Sequence, residues 1–338
     1  MSAEMGIGIV GCGAISEVYL QNLSRFPGVR VVHVADVLED RARAMAEQHH
    51  VPAASGLDAL LANEDVQLVL NLTIPRAHAE VSLLAIDAGK SVYSEKPLAG
   101  GSDDGRRILD AAVRRGVRVG SAPDTFYGPA AQAARAVIDR GGIGKVIGGA
   151  AFMLSPGHES WHPSPAFYYQ HGGGPLHDMG PYYLSALINL LGPVARVRAV
   201  TTTTHAQRTI TSQPLAGTIV DVEVPTHVSA LVEFVMGGTI SLVMSFDVVA
   251  AEIPPIQLWG TEGSVLLPDP NGFGGQVSVQ GRRDAAWHVV NPAGGSDWRG
   301  IGVADMSRAM RDGDQQRAGG ALAFHVLDVM DALLRAGE

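Results

Sequence analysis

The sequence predicts a doubly wound α/β domain with a parallel sheet, followed by an α+β domain with a large open, mostly antiparallel sheet. Three observations carry this. Up to Ser121, short apolar runs alternate with segments of helical period, the mark of a parallel sheet covered on both faces. Beyond it, strand-like runs follow one another, with a Gly237-Gly238 hairpin signal among them. A chain of 338 residues that is 46% apolar has material for two cores.

In order, Ile7–Val10 reads as a strand and Ile15–Phe26 as a helix stopped by Pro27-Gly28. Val29–Ala35 is the next strand, and Glu39–His49 a helix ended by Pro52. Val66–Leu72 is a buried strand, Pro75–Ala88 a helix and Val92–Tyr93 a strand core. Asp103–Arg115 is a helix and Val117–Gly120 a strand. Pro129–Arg140 reads as helical and Val146–Leu154 as a strand. Ser155–Pro175 reads as a long loop, and long loops in compact domains are often functional. Tyr182–Leu191 is helical. The strand-like runs are Val194–Thr201, His227–Val235, Thr239–Val249, Ile256–Trp259, Ser264–Leu267, Gln276–Val279 and Trp287–Val290. Ala321–Arg335 closes the chain as an amphipathic helix.

A net charge of −9 without a basic stripe argues against nucleic acid or an anionic membrane as partner. No run is apolar for long enough to span a bilayer, and the N-terminus lacks the regions of a signal peptide. Cys12 is the only cysteine, so no internal disulfide can form, and a reducing cytoplasm fits.

Gly11-Cys12-Gly13-Ala14-Ile15-Ser16 lies between a predicted strand and a predicted helix. Gly11 permits a tight turn, Gly13 a close approach of backbone to a pyrophosphate, and Ser16 close helix–strand packing. The helix N-terminus offers its N–H groups to the diphosphate. Asp36 follows Ser16 by twenty positions, at the end of the second strand. A carboxylate there accepts from a ribose 2′-OH and repels a 2′-phosphate, and no Arg follows it, so NAD is expected over NADP. Cys12 reads as a small packing residue.

Further on stand Thr73-Ile74-Pro75 with His78, Glu95-Lys96-Pro97 and the Gly141-Gly142-Ile143-Gly144-Lys145 turn. Gly172-Gly173-Gly174 with Leu176 and Asp178, and Phe324-His325-Val326, complete the series. In this order and spacing, with the Gly11 loop and Asp36, they resemble the glucose–fructose oxidoreductase / inositol dehydrogenase / MocA (Gfo/Idh/MocA) family over nearly the whole chain. The resemblance implies an NAD-binding Rossmann domain over 1–121 and a substrate-binding and oligomerisation domain over 122–320. The helix of 321–338 would pack back on the Rossmann domain. It implies cofactor contacts from Gly11, Gly13, Ala14, Ile15, Asp36, Thr73, Ile74, Pro75, His78, Glu95 and Lys96. It also implies assembly as a homodimer or homotetramer, covering the apolar second sheet.

Lys96 is, on the resemblance, the group beside the nicotinamide and the reacting oxygen. The lysines of the chain are Lys90, Lys96 and Lys145. An ammonium there would stabilise a developing alkoxide, with Glu95 to orient it. The family commonly carries a His four residues after its Asp; here Tyr182 stands there, after Asp178. On a helix, i and i+4 share a face, which Pro181 allows only from the first turn. A Tyr, with a pKa near ~10, needs the Lys96 charge to act as a base at neutral pH. Tyr182 is the expected acid/base, with His177, which titrates near ~6.5, as the alternative.

His158-Glu159-Ser160-Trp161-His162 matches the zinc motif H-E-x-x-H. Pro156-Gly157 before it and Pro163 and Pro165 after it oppose the helix that motif needs, so no metal is expected. Two readings stand: the loop lines the substrate cleft, with Trp161 against a sugar ring and His158, Glu159 or His162 on hydroxyls, or it is solvated with Trp161 tucked beneath. Phe167-Tyr168-Tyr169 carries the same ambiguity. Asp124-Thr125-Phe126 departs from the Asn-x-Arg-type sequence of many relatives, a change expected to reshape the substrate site.

The expected activity is NAD-dependent hydride transfer at a secondary hydroxyl or keto carbon of a sugar, sugar derivative or cyclitol, with Lys96, Asp178 and Tyr182 catalytic and His158, Trp161 and His177 on the substrate. The alternatives are an NAD-dependent glycoside hydrolase or eliminase with transient ring oxidation, and a non-catalytic NAD-binding sensor or regulatory subunit.

Overall fold

The computed structural model describes residues 4–290 and 298–337. The elements run β1 (Met5–Val10), α1 (Ala14–Leu23), β2 (Val29–Ala35), α2 (Glu39–His49), β3 (Ala53–Ser55), α3 (Leu57–Ala62), β4 (Leu68–Asn71), α4 (His78–Asp87), β5 (Ser91–Ser94), α5 (Ser102–Arg115) and β6 (Val119–Ser121). Then follow α6 (Pro129–Asp139), β7 (Val146–Leu154), α7 (Gly174–Leu191), β8 (Val194–Thr202), β9 (Gln207–Thr209), β10 (Ile219–Asp221), β11 (His227–Phe234), β12 (Thr239–Ser245), β13 (Ile256–Gly260), β14 (Gly263–Leu267), β15 (Ser278–Gly281), β16 (His288–Val289), α8 (Ile301–Asp312) and α9 (Gly320–Gly337). The chain forms two compact units. One runs to Asp124 and includes α8 and α9 as far as Leu327; the other begins at Thr125 and includes α9 from Asp328.

In the first unit six parallel strands lie in the order β3-β2-β1-β4-β5-β6. This is the doubly wound order whose switch point falls between β1 and β4, where ligands of such sheets bind. β1, β4 and β5 are buried along their whole length, as central parallel strands must be. α5 carries Asp103 and Asp104 in its first turn and Arg114 and Arg115 in its last, charges that complement the helix dipole.

α8 goes beyond the predicted elements, as do β3, α3 and the β9–β10 hairpin. α8 buries Val303, Met306 and Ala309, spaced as one helical face. Its N-terminus is held by Asp124, whose Oδ2 accepts the Gly300 and Gly302 N–H groups at 2.9 and 3.1 Å. Asp124 is thus a helix anchor, 1% exposed, and not a residue that shapes a substrate site. Burial pushes its carboxyl up to about 6, against the pull of the two N–H donors. A carboxyl raised in the folded state binds its proton more tightly than in the unfolded chain. Stability from this group is therefore present below pH ~4 and lost as the pH rises to ~6, by roughly 3 kcal/mol in all. Asp124→Asn is expected to flatten that part of the stability–pH curve. Urea unfolding between pH 4 and 7 checks it, and an unchanged slope would refute the assignment.

The second unit holds a sheet in the order β16-β15-β14-β13-β7-β12-β11-β8, antiparallel throughout except for the parallel β7–β12 pair. One face buries Val232, Ile240, Leu242, Leu258 and Val265; α7 packs near β11 and β12, and α6 near β14. α7 starts at Gly174, earlier than predicted, with Pro175 in its first turn and Pro181 in its interior. Pro181 forfeits one ladder bond and crowds the carbonyl a turn back, a cost of ~3 kcal/mol. The unbroken buried run Gly180–Leu187 supplies packing that outweighs it. Among the described residues no helix is long and apolar enough to cross a membrane.

Candidate functional site

The C-terminal edges of β1, β2, β4 and β5 carry the first cluster. Gly11 has φ +100°, and a Cβ there would stand 2.6 Å from the Leu72 carbonyl oxygen, so the turn out of β1 requires glycine. Gly13, the N-cap of α1, has an ordinary backbone, and a Cβ on it would meet nothing within 4 Å. The helix N-terminus beside it has no side-chain cap; the Ser16 N–H is taken by the Gly13 carbonyl at 3.1 Å, which leaves those of Ala14 and Ile15 for a ligand. Asp36 braces the loop: its Oδ2 accepts the Cys12 N–H at 2.8 Å and its Oδ1 that of Leu38 at 2.9 Å. Two bonds leave a carboxylate capacity for a ribose hydroxyl. Burial, aided by the Asp36 charge, pushes the Cys12 thiol up to about 11, which keeps it a protonated packing group.

These residues fit a dinucleotide: an open glycine at a helix N-terminus, with a carboxylate at the end of the next strand. The two glycines should then separate by experiment. Gly11→Ala is expected to destabilise the fold by about 1–3 kcal/mol through its positive φ. Gly13→Ala should leave stability within about 1 kcal/mol yet weaken NADH binding at least tenfold. Thermal melts and NADH fluorescence titrations check both; equal effects at the two positions would sink the distinction.

At the switch point, Ile74 and Pro75 are exposed. His78 is 1% exposed, its Nδ1 2.6 Å from the Pro97 carbonyl oxygen and its Nε2 3.0 Å from that of Thr73. It therefore ties the loop after β4 to the loop after β5 and presents no free nitrogen to a ligand. Glu95 does similar work. Its Oε2 accepts the Lys96 backbone N–H at 2.8 Å and its Oε1 the Tyr19 hydroxyl at 2.9 Å. Both carbonyl and carboxylate contacts fix the backbone from which the Lys96 side chain departs.

The second unit has its own cleft, of about 400 Å³, at the end of β7 and the first turns of α7. Asp178 lines it, as do His158 and Trp161 from the long loop. The H-E-x-x-H segment is a turn rather than a helix. His158 is 8% exposed, stacked on Tyr168 at 3.7 Å and edge-on to Phe246 at 4.6 Å. Its Nε2 stands 3.5 Å from Asp178 Oδ2, while Nδ1 has no partner. Trp161 is 63% exposed, which removes the reading that tucks it beneath the loop. Tyr182 is buried and lies one helical turn after Asp178, but the cleft wall holds its neighbour Tyr183 and not Tyr182 itself. His177 is not in the cleft wall: its Nδ1 is 3.2 Å from the Gly173 carbonyl oxygen, and burial lowers its pKa, favouring the neutral ring.

Glu159 is not free for a substrate hydroxyl either. It accepts from Arg208 Nη1 at 2.6 Å and from the Tyr169 hydroxyl, and Arg208 also pairs with Asp247. Burial opposes its ionisation, but the bonds from Tyr169 and Arg208 prevail and hold its carboxyl below the usual range. Tyr169 is wholly buried in this network, which resolves part of the Phe167-Tyr168-Tyr169 ambiguity in favour of packing. Among the wall residues that the sequence did not single out, Tyr183 and Asp269 are the two with polar side chains outside the long loop. Tyr183 follows Met179 by one turn and donates to the Phe152 carbonyl at 3.0 Å; an earlier start for α7 would have exposed that signal. Asp269 sits in a loop after β14 with no motif around it.

Comparison with known proteins accords with this arrangement. Residues 5–122 match the model described as the GFO_IDH_MocA oxidoreductase family, NAD-binding Rossmann fold, and residues 131–266 that of the GFO/IDH/MocA C-terminal domain. An inositol 2-dehydrogenase of Gluconacetobacter diazotrophicus is 39% identical over 150 residues, 42% of this chain and 44% of that protein. A dTDP-3,4-didehydro-2,6-dideoxy-alpha-D-glucose 3-reductase of Streptomyces violaceoruber is 34% identical over 195 residues, 57% of this chain and 56% of its own length. The match therefore spans about half the length of these relatives. The fold is shared with an NAD binding oxidoreductase from Klebsiella pneumoniae, with a TM-score of 0.86 at 24% identity over 99% of this chain and 97% of that one. With the nucleotide-binding and the C-terminal domain models both matched, the chain belongs to the Gfo/Idh/MocA family of NAD-binding oxidoreductases.

Proposed function

We propose that this protein is an NAD-dependent dehydrogenase acting on a secondary hydroxyl, or in reverse a ketone, of a sugar, sugar derivative or cyclitol. The observation that carries the reading is the pairing of an NAD-type loop, Gly11 to Ser16 with Asp36, with a second unit whose cleft presents Asp178 and an exposed Trp161. Relatives named as an inositol dehydrogenase and a sugar-nucleotide reductase support the substrate class.

Bound NAD would supply the hydride acceptor. The cofactor-holding residues are the N–H groups of Gly13, Ala14 and Ile15, the Asp36 carboxylate, and the Thr73-Ile74-Pro75 and Glu95-Lys96 loops, the last two braced by His78 and Glu95. The Lys96 ammonium stabilises negative charge on the reacting oxygen, Tyr182 takes the hydroxyl proton, and Asp178 accepts from and orients the substrate. The alternation of β8, β11, β12 and β13 leaves Val200, Leu231 and Trp259 on one open face, which we assign to homodimer formation.

The test mixes the purified protein with NAD⁺ or NADP⁺ and a panel of sugars, glycosides, anhydrosugars and inositols, following reduced nicotinamide. NADH formation with at least one member is expected, with NADP⁺ at least tenfold poorer. A preference for NADP⁺ would overturn the role of Asp36. Sugar release without net reduction would replace the dehydrogenase with the hydrolase or eliminase.

A further inference from the structure

The second unit's cleft has a lopsided chemistry. Two carboxylates, Asp178 and Asp269, line it, and none of the described lining residues is Lys or Arg. Much of the remaining wall is apolar: Met153, Trp161, Met179 and Ile253 are examples. Trp161 is 63% exposed and so offers a ring face to whatever enters. His158, nine-tenths buried in the wall, holds its Nε2 toward Asp178 and has an Nδ1 without a partner.

Ionised carboxylates only accept hydrogen bonds, so they match the donors of a ligand: hydroxyl and ammonium groups. A phosphate or carboxylate on the ligand brings acceptors against acceptors and like charge against like, in a cleft partly withdrawn from water. A ring with one C–H face fits an exposed indole. We propose that this cleft selects polyols without negative charge, neutral or amino-bearing, and rejects sugar phosphates, uronates and nucleotide-linked sugars. The proposal rests on the dehydrogenase reading for its turnover but not for its binding.

The experiment uses the full chain with saturating NADH and matched probes: glucose, glucosamine and glucuronate; myo-inositol and myo-inositol 1-phosphate; and the amino, uronate and phosphate counterparts of any better panel member. Binding is read by tryptophan fluorescence, with Trp161→Phe to assign the signal, and turnover with NAD⁺ separately. Neutral and amino members are expected to bind at least ~30-fold more tightly than their anionic counterparts. Asp269→Asn, whose side-chain oxygen can still accept the Asn271 N–H that Asp269 takes at 2.9 Å, should narrow that gap at least threefold. Equal or tighter binding of an anionic member overturns the proposal, as does an Asp269→Asn gap that does not change, or no saturable binding by any probe. Charge-selective binding without turnover would leave the selection standing while sinking the dehydrogenase reading.

Discussion

Replacing Lys96 by Met should lower kcat by about 10³-fold while NADH affinity stays within about threefold. Under the proposed function the ammonium stabilises the charge that develops on the reacting oxygen, and a 10³-fold loss corresponds to ~4 kcal/mol of barrier. Met keeps an unbranched apolar stem close to the length of Lys and removes the charge together with its three N–H donors. The backbone beneath it should not move, because it is fixed by groups other than the side chain: Glu95 accepts the Lys96 N–H, and His78 spans the Pro97 and Thr73 carbonyls. Lys96→Arg should recover little, since a planar guanidinium does not replace a compact point charge. Steady-state kinetics beside NADH titration separate the two quantities. A kcat within tenfold of the native value would remove Lys96 from the chemistry.

Arg208→Met is expected to destabilise the protein by about 3–5 kcal/mol, which lowers the melting temperature of a domain this size by roughly 10 °C or more. Arg208, Glu159 and Asp247 are all nearly inaccessible, with side chains 9%, 16% and 8% exposed. Removing the cation strands two carboxylates in a low-dielectric site. The Phe246 and Pro156 carbonyls, which Arg208 also serves at 3.1 and 3.2 Å, lose a donor as well. The triple change Arg208→Met, Glu159→Gln, Asp247→Asn should restore most of the loss, because it removes the unpaired charges together. Glu159 is held below its ordinary range in the folded state, so its share of stability is present above pH ~4.5 and lost as the pH falls through its folded value. In Arg208→Met that acid sensitivity should shrink. A variant that melts with the native protein would show the network to be dispensable.

Much of the first unit is legible in the sequence because its rules are local. A Gly-rich turn between an apolar strand and a helix needs a positive φ at Gly11 and open space at Gly13, and the structure has both. The parallel order follows from strands that are apolar on both faces. The NAD-binding character was readable for the same reason: Asp36 directly follows β2, a place fixed by strand length. α8 was not legible as easily, since its start depends on Asp124, far away in sequence. His78 was visible as a residue, but its two carbonyl partners were not.

The second unit shows the limit more sharply. Alternation placed most of its strands within a few residues, yet the start of α7 was missed because Pro181 argues locally for a break and only tertiary burial overrules it. The H-E-x-x-H segment was correctly denied its helix by flanking prolines. What the five residues do was decided by partners from other elements: Arg208 from β9, Tyr168 from the loop and Asp178 from α7. By itself the sequence determined the doubly wound fold, the nucleotide loop and the family, since backbone sterics and hydrophobic period act within a few residues. Only the tertiary structure decided which carboxylates pair with the buried Arg208 and which, like Asp178 and Asp269, line a cleft, because burial and charge pairing depend on side chains brought together from distant parts of the chain.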